Sequence, residues 1–496
     1  MSEIRVTYSG LISFVIGIVG IFTGLIFTLV ITRNLNSLEF GTWNLINNFF
    51  GYVIILEPIV SYWATREVSR KISSGTTAII TSGIMSCLGI LFYILIVYFV
   101  GNNTDANVEV LTWGIILIPF IFITRTLSAI NLGYKPQIIS YGLLTYSSVQ
   151  IPTILYFIYY LDMGVIGIIF SSLCAYISNI LVQAYLGKTQ IKNNFNYKFI
   201  KKWFKLSWIP LFPGLYTFIS LLDVTIFSLL TNSVIGLAFW GACMAIATMI
   251  SQSGNISRSV YPKILSNDNS SYLKDNFSLL LYFAIPLTLL GIYFSKPLLF
   301  ALNPEYVIAS PVLFFISIFV LFNTLNTTFY SILLGTEKID LNENVKSTNY
   351  LKSKLFSLPL ILMFQYGSYI SILTITLFFL ISSNYSQIDL VIIWSIIALI
   401  THFPFTVYFI LQLKKTVDFN IDYLRIIKFL MIGIFSFGSI SLLFDNFLDY
   451  DQNLFNFIPH ILTFVFMGLT VYFILTLITD PLTRLLVKNI IKEIRH

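Results

Sequence analysis

The sequence predicts an all-α, polytopic membrane protein of about fourteen transmembrane helices. Three observations carry that prediction. The 496 residues are 57% hydrophobic, with a mean hydropathy of +0.85, more apolar surface than a soluble domain of this length can bury. Apolar stretches recur along the chain, each near the ~20 residues that a helix needs to cross a bilayer. Lys and Arg gather in every second loop.

The stretches lie near 9–31, 40–62, 76–100, 110–132, 138–160, 163–186, 208–231, 236–256, 277–300, 309–334, 355–381, 389–413, 426–445 and 457–479. The first is too long for the apolar region of a secretory signal and has no small-residue cleavage site, so it reads as a helix. Segments eleven and twelve run nearly together, and Ser382-Ser383-Asn384-Tyr385-Ser386-Gln387 separates them. With the N-terminus inside, 26 of the 29 Lys and Arg fall on the cytoplasmic side, Arg33 and Lys296 fall outside, and Arg125 lies within the fourth segment. A miscounted helix would invert every later loop and destroy that split. The count is therefore even, with both termini cytoplasmic and the chain in the plasma membrane.

Other classes find little support. Cys87, Cys174 and Cys243 sit in apolar runs without ligand or disulfide spacing, and His402, His460 and His496 are scattered, so no metal and no cofactor are expected. The net charge of +7 follows topology and not nucleic-acid binding. No phosphate-binding glycine loop or metalloprotease motif occurs. Asp449-Tyr450-Asp451 has the DxD form that holds a metal in glycosyltransferases, but in a short loop it reads as a solvated acidic turn. The chain is not expected to be an enzyme.

Between the sixth and seventh segments, Gly187–Ser207 carries six lysines and no acid. On a helical wheel Lys198, Lys201, Lys202 and Lys205 fall opposite Phe195, Phe199, Trp203 and Leu206, the pattern of a helix on an anionic membrane surface. At the C-terminus Arg484, Lys488, Lys492 and Arg495 form a second basic stripe opposite Leu485, Leu486 and Ile490.

The segments on either side of the connector partly repeat. Asn36-Ser37-Leu38-Glu39-Phe40-Gly41-Thr42-Trp43 is echoed by Asn232-Ser233-Val234-Ile235-Gly236-Leu237-Ala238-Phe239-Trp240. Thr65–Ile72 is echoed by Ser257–Ile264, with Arg, Val, Lys and Ile in register. The expected organisation is a six-helix lobe at 1–186, a basic amphipathic connector at 187–207, a second six-helix lobe at 208–413, and an extra helix pair with a cytoplasmic amphipathic tail at 414–496. Parallel repeats of this kind place a substrate site between lobes that rock against each other.

Ionisable groups within spans mark candidate sites, because each costs about 2.5–3.5 kcal/mol to insert. Asp223 follows Pro210 and Pro213 in the seventh segment; Glu57 precedes Pro58 in the second; Arg125 lies at comparable depth to Glu57. Glu57 and Arg125 admit two readings: a structural ion pair, or an Arg125 that faces a water-filled cavity and meets an anionic ligand. Asn47, Asn48, Gln252, Asn255, Asn323 and Asn326 are candidate lining amides, and amides also join helices.

Thr32-Arg33-Asn34-Leu35-Asn36-Ser37-Leu38-Glu39-Phe40-Gly41-Thr42-Trp43 resembles the R-L-x-x-x-E-[FY]-G turn of polysaccharide exporters, and Val234–Trp240 resembles the matching turn of their second lobe. Leu302-Asn303-Pro304-Glu305-Tyr306, with Ala309, Pro311, Val312 and Leu313, resembles the loop between their helices nine and ten. The whole chain thus resembles the oligosaccharidyl-lipid flippases, of O-antigen and lipid II type, in the multidrug/oligosaccharidyl-lipid/polysaccharide exporter superfamily. The resemblance implies two lobes in a V-shaped arrangement and movement of a sugar chain on a polyprenyl or dolichyl (pyro)phosphate from the inner to the outer leaflet. Its partners would be membrane lipids, the lipid-linked oligosaccharide and glycosyltransferases of the same pathway, with no nucleic acid and a monomeric state. Arg66, Arg125 and Arg258 would attract the phosphates, the Asn and Gln groups would contact sugar, and Glu57 or Asp223 would serve as a coupling or cavity acid. Two rival expectations are a cation-coupled drug or metabolite antiporter of the same superfamily, and a membrane-embedded glycosyltransferase or polymerase. The antiporters stop at twelve helices, and the enzymes show a large outer loop or an acidic metal motif.

Overall fold

The computed structural model describes residues 20, 22–254, 271–337, 353–383, 385–417, 421–481 and 483–484, and among them there is helix but no strand. In chain order the main helices are α1 (Phe22–Asn34), α2 (Ser37–Ile54), α3 (Pro58–Ser69), α4 (Gly75–Ile96), α5 (Val108–Trp113), α6 (Leu117–Tyr134), α7 (Gln137–Leu155), α8 (Gly164–Leu186) and α9 (Tyr197–Lys205). They continue with α10 (Trp208–Thr231), α11 (Ile235–Ser251), α12 (Ser271–Tyr293), α13 (Ser295–Leu302), α14 (Ser310–Gly335), α15 (Lys354–Ile381), α16 (Gln387–Val417), α17 (Tyr423–Ser441) and α18 (Leu454–Thr479).

Among the described residues 11 helices are long and apolar enough to cross a membrane, or 13 when each of two bent pairs counts as one span. These 13 correspond in order to the second through fourteenth stretches of the sequence. Most of the first stretch lies outside the described residues, and α1 is its final part. One bent pair joins α2 to α3 at 60°, the other α12 to α13 at 76°. The first bend has a local cause. Pro58 has no N–H to continue the ladder and opens α3, while Glu57 N–H turns back to Ile54 O at 2.9 Å in a tightened turn.

Packing divides the chain into two compact units, Met1–Gly241 with Ile370–Gln387, and Ala242–Tyr369 with Ile388–His496. In the first unit α6 lies along α3, α4 and α8, and α7 along α8. Helix α10, which the sequence places at the head of the second lobe, packs on α2 within this unit. Asn48 donates to Leu221 O at 3.0 Å, and Tyr52 donates to the same carbonyl at 2.7 Å.

The echoed turns meet here. Asn36 caps α2 and accepts from Glu39 N–H, while Glu39 returns a carboxylate to Asn36 N–H, a full capping box. Gly41 lies so close to Val234 O that a Cβ would collide with it. Asn44 Nδ2 donates to Leu237 O at 3.3 Å. The Glu-Phe-Gly string of the sequence is thus a cap followed by a close crossing.

The connector departs from the surface-helix expectation. Helix α9 does carry lysines on one side, but Trp203 is fully buried against protein and not turned to lipid. Its indole N–H donates to Glu67 Oε1 at 3.3 Å, and Lys202 Nζ reaches the same oxygen at 2.9 Å. Upstream, Thr76 donates to Ile191 O and accepts from Asn193 N–H, and Thr77 accepts from Asn196 N–H. The connector is keyed into α3 and α4, leaving Phe195 exposed and Phe199 half-buried.

In the second unit α12 packs against α14 and α17, and α17 against α18. Tyr472 donates to Tyr282 O at 3.1 Å, and Phe294 stands edge-on to Phe437 at 6.0 Å between centroids. At one end of this helix pair Arg425 Nη2 meets Asp480 Oδ2 at 2.8 Å, both side chains buried. Of the predicted C-terminal stripe, Lys488, Lys492 and Arg495 lie outside the described residues.

Candidate functional site

The bend between α2 and α3 carries Glu57 into the interior, where it is 4% exposed. Ser61, one turn on, donates to its Oε2 at 3.0 Å. From α6, Thr126 Oγ1 lies 3.4 Å from Oε1 and 2.8 Å from Ser82 Oγ of α4. Arg125 precedes Thr126 on α6, so its side chain leaves the helix about 100° away. It is exposed at mid-helix, and no carboxylate lies within 4 Å of it among the described residues. Its charge still acts on Glu57 at longer range. The ion pair that the sequence admitted does not form, and the cation stands open on the face of a spanning helix.

Beside it runs a polar strip that sequence reasoning missed. The charge of Arg125 also acts on Tyr176 of α8. Tyr176 meets the Tyr146 ring of α7 at 5.1 Å, and Gln150 donates to Tyr146 OH at 3.2 Å. With 29 tyrosines in the chain, no sequence signal singles these two out.

The other candidates are dispersed. Asn47 is exposed on α2 and donates only within its helix, to Trp43 O at 3.1 Å. Asn48, its neighbour, is buried and joins α2 to α10, accepting from Thr225 Oγ1 at 3.1 Å. Asp223 is half-buried on α10 and accepts from Val224 N–H at 2.7 Å. Arg66 is exposed at the end of α3, stacked 4.5 Å over the Tyr62 ring. Asn255 and Arg258 lie outside the described residues.

In the second unit Gln252 is half-buried at the end of its span, and Asn323 accepts from Tyr366 OH at 3.3 Å. Asn326 is buried and donates to His402 O at 3.4 Å. His402, to which sequence reasoning assigned no role, is fully buried with Nδ1 2.8 Å from Ala398 O. Phe319, Tyr366 and Tyr369 surround its ring at 4.8, 5.3 and 5.5 Å. Glu57 and Arg125 thus lie in one unit without forming an ion pair, and Asn323 and Asn326 lie in the other. Among the described residues no group of His, Cys, Asp and Glu could hold a metal ion.

This arrangement of spans has known counterparts. The chain is similar to the lipid II flippase MurJ in an inward closed conformation, with a TM-score of 0.67 and 18% identity over 94% of this chain and 98% of that one. The fold is that of the MOP superfamily transporters. An inward-facing multidrug resistance MATE family transporter of that superfamily aligns with a TM-score of 0.61 and 12% identity, over 82% of this chain and 99% of its own. A MOP superfamily transporter from Pyrococcus furiosus aligns at 0.55 and 11%, over 83% and 95%. No family model and no curated protein sequence matches the chain. The MOP-type fold accounts for the all-helical architecture and the long succession of spans, and the polar groups held within those spans are what it leaves to this sequence.

Proposed function

We propose that the chain translocates a lipid-linked oligosaccharide, carried on a polyprenyl or dolichyl (pyro)phosphate, from the inner to the outer leaflet of the plasma membrane. The two lobes, 1–186 and 208–413, would alternate access, and both termini would be cytoplasmic. One observation carries the reading: Arg125 is an exposed cation about two-thirds of the way along the Val108–Tyr134 span, with no carboxylate within 4 Å among the described residues. A charge so placed needs an anionic partner or water, and a phosphate supplies the partner through charge-assisted hydrogen bonds. Exposed Asn47, with Tyr176, on which the charge of Arg125 acts, offers the amide and phenol groups that meet sugar. Arg66 and Arg258 would draw the phosphates in, and Gln252, Asn255, Asn323 and Asn326 complete the candidate set. Asn48 belongs to helix packing.

The fold likeness supports this choice over a drug antiporter in one respect. The alignment with the lipid II flippase covers 94% of the chain, against 82% for the MATE transporter. The physics is consistent: sugar and phosphate cannot cross hydrocarbon bare, and an inside-negative potential favours outward movement of the anion by ~2.3 kcal/mol per charge per 100 mV. The test is the sidedness of a fluorescent lipid-linked oligosaccharide in proteoliposomes. The expected result is protein-dependent loss of protected probe, abolished by alanine at Arg125 and Arg258 together. Undiminished translocation by that double variant sinks the phosphate assignment, and drug efflux without lipid translocation favours the antiporter.

A further inference from the structure

We infer that the substrate carries a single negative charge at its phosphate, as a sugar joined to its carrier lipid through one phosphodiester does, and not the two charges of a diphosphate. This deepens the transport reading and rests on it. The observation behind it is a count of charge along the spans. Among the described spans Arg125 is the one Lys or Arg that lies more than two helical turns from either end. Residues 6–32, which hold the first apolar stretch, contain no Lys or Arg. Arg33, Arg66, Lys296, Arg425 and Lys428 all stand within two turns of a span end, where headgroups and water are in reach. Cations so placed can draw in either kind of phosphate. Arg125 alone is placed to accompany it through the middle.

The surroundings of Arg125 supply no second positive charge. From Trp113 to Asn131 it is the one exposed residue, so the rest of that stretch is covered by protein. On α8 its charge acts on Tyr176, a phenol, and the next groups along are Tyr146 and the Gln150 amide. The carboxylates work in the opposite direction. Glu57, on which Arg125 acts at longer range, and Asp223 of α10 are the two acids that lie as deep within described spans. Either can subtract positive charge and neither can add it. Whatever their protonation, the site matches at most one negative charge.

That match separates the two classes of carrier. A phosphodiester between lipid and sugar has one charge at neutral pH, and a diphosphate linkage has two. The first forms a pair of zero net charge with Arg125, held by charge-assisted hydrogen bonds. The second leaves a negative charge without a partner inside a span, which disfavours it on the order of a hundredfold. A phospholipid headgroup presents the same singly charged phosphodiester without the glycan, so the experiment must tell these two sources apart.

The test uses the full chain in proteoliposomes with three fluorescent probes: glucose on a farnesyl tail through one phosphate, the same sugar and tail through a diphosphate, and phosphatidylglycerol. The phosphodiester sugar should cross, and the diphosphate should lag on the order of a hundredfold. Arg125→Lys should keep that preference at a lower rate, and Arg125→Gln should slow the phosphodiester to the rate of the diphosphate. A diphosphate that crosses the wild-type protein as fast as the phosphodiester overturns the single-charge match and leaves the transport reading standing; this comparison needs no variant to fold. Loss of the preference in Arg125→Lys also overturns the match. Phosphatidylglycerol moving as fast as the phosphodiester sugar supports the match and overturns the glycan. If neither sugar probe crosses, the transport reading fails, and binding of the two probes to the chain in nanodiscs decides the match. Tighter binding of the phosphodiester, lost in Arg125→Gln, supports it; tighter binding of the diphosphate, or binding of neither, overturns it.

Discussion

Trp203 places its indole N–H 3.3 Å from Glu67 Oε1, the oxygen that also receives Lys202 Nζ at 2.9 Å. The connector is therefore anchored at its end by one buried carboxylate shared between an apolar and a charged residue. Trp203→Ala should destabilise that anchor by about 3–5 kcal/mol, the usual cost of emptying a buried aromatic site. Trp203→Phe keeps most of the bulk and loses one hydrogen bond, so its cost should be ~1 kcal/mol. Limited trypsin digestion reads the difference, since Lys198 and Lys201 are exposed on the same helix. A connector in Trp203→Ala as resistant to trypsin as the wild type would show that the anchor does not hold it.

The buried ion pair of Arg425 with Asp480 predicts a pH dependence with a definite sign. Asp480 is buried, which alone would raise its pKa, but the Thr483 hydroxyl and the Arg425 guanidinium hold it below the ordinary value of 3.8. A carboxyl whose folded value is depressed stabilises fully above its unfolded value and loses that stabilisation as pH falls through the folded value. Packing of α17 on α18 should therefore be insensitive to this group from neutral pH down to the ordinary carboxylate range, and weaken only below it. Arg425→Ala should cost about 3–5 kcal/mol by leaving a buried charge unpaired, and Arg425→Met with Asp480→Leu should recover most of the loss. Thermal unfolding of the three forms across acid pH checks this. Equal destabilisation in single and double variants would refute the account.

Much of this architecture was legible because lipid makes strict demands. A crossing helix must be long, apolar and internally hydrogen-bonded, and the second through fourteenth stretches, which have those properties, became the spans. Asn36, Glu39 and Gly41 could be read as a turn because a capping box and a close crossing require those residue types. Trp203 could not be placed, since a helical wheel shows that a face is apolar and not whether protein or lipid covers it. The relation of Glu57 to Arg125 also escaped the sequence. Comparable depth makes an ion pair conceivable, but the facing of two side chains on separate helices depends on rotation that hydropathy does not encode. Tyr146 and Tyr176 escaped for a plainer reason, being two among 29 tyrosines.

Gly41 offers a direct check on the crossing of the echoed turns. A methyl group there meets the Val234 carbonyl, which is backbone and cannot swing aside. Gly41→Ala should cost about 1–3 kcal/mol, as overpacking does, in spite of alanine's better helix propensity. Gly367, which has nothing within 4 Å of an added Cβ, is the control, and alanine there should leave stability level or slightly higher. Comparable melting temperatures for the two variants would mean that the crossing is looser than described.

Asn47 and Asn48 are adjacent, chemically identical and differently employed, so they separate binding from packing in one experiment. Asn48 bonds Leu221 O and Thr225 Oγ1, but Tyr52 also donates to Leu221 O at 2.7 Å, so that carbonyl keeps a partner when the amide is removed. Asn48→Ala should therefore cost only about 0.6–1.7 kcal/mol, the range measured for polar contacts between membrane helices. Combined with Tyr52→Phe, which removes the remaining donor, the loss should exceed the sum of the singles, because the two share one acceptor. Asn47 is exposed and bonds only its own helix, so Asn47→Ala should leave stability within about 0.5 kcal/mol of wild type. If Asn47 meets the sugar as proposed, translocation should fall in Asn47→Ala at unchanged protein level. Asn48→Ala should instead lose translocation only in proportion to folded protein. The reverse pattern, with Asn47 stabilising and Asn48 needed for transport, would exchange the two roles and remove Asn47 from the site.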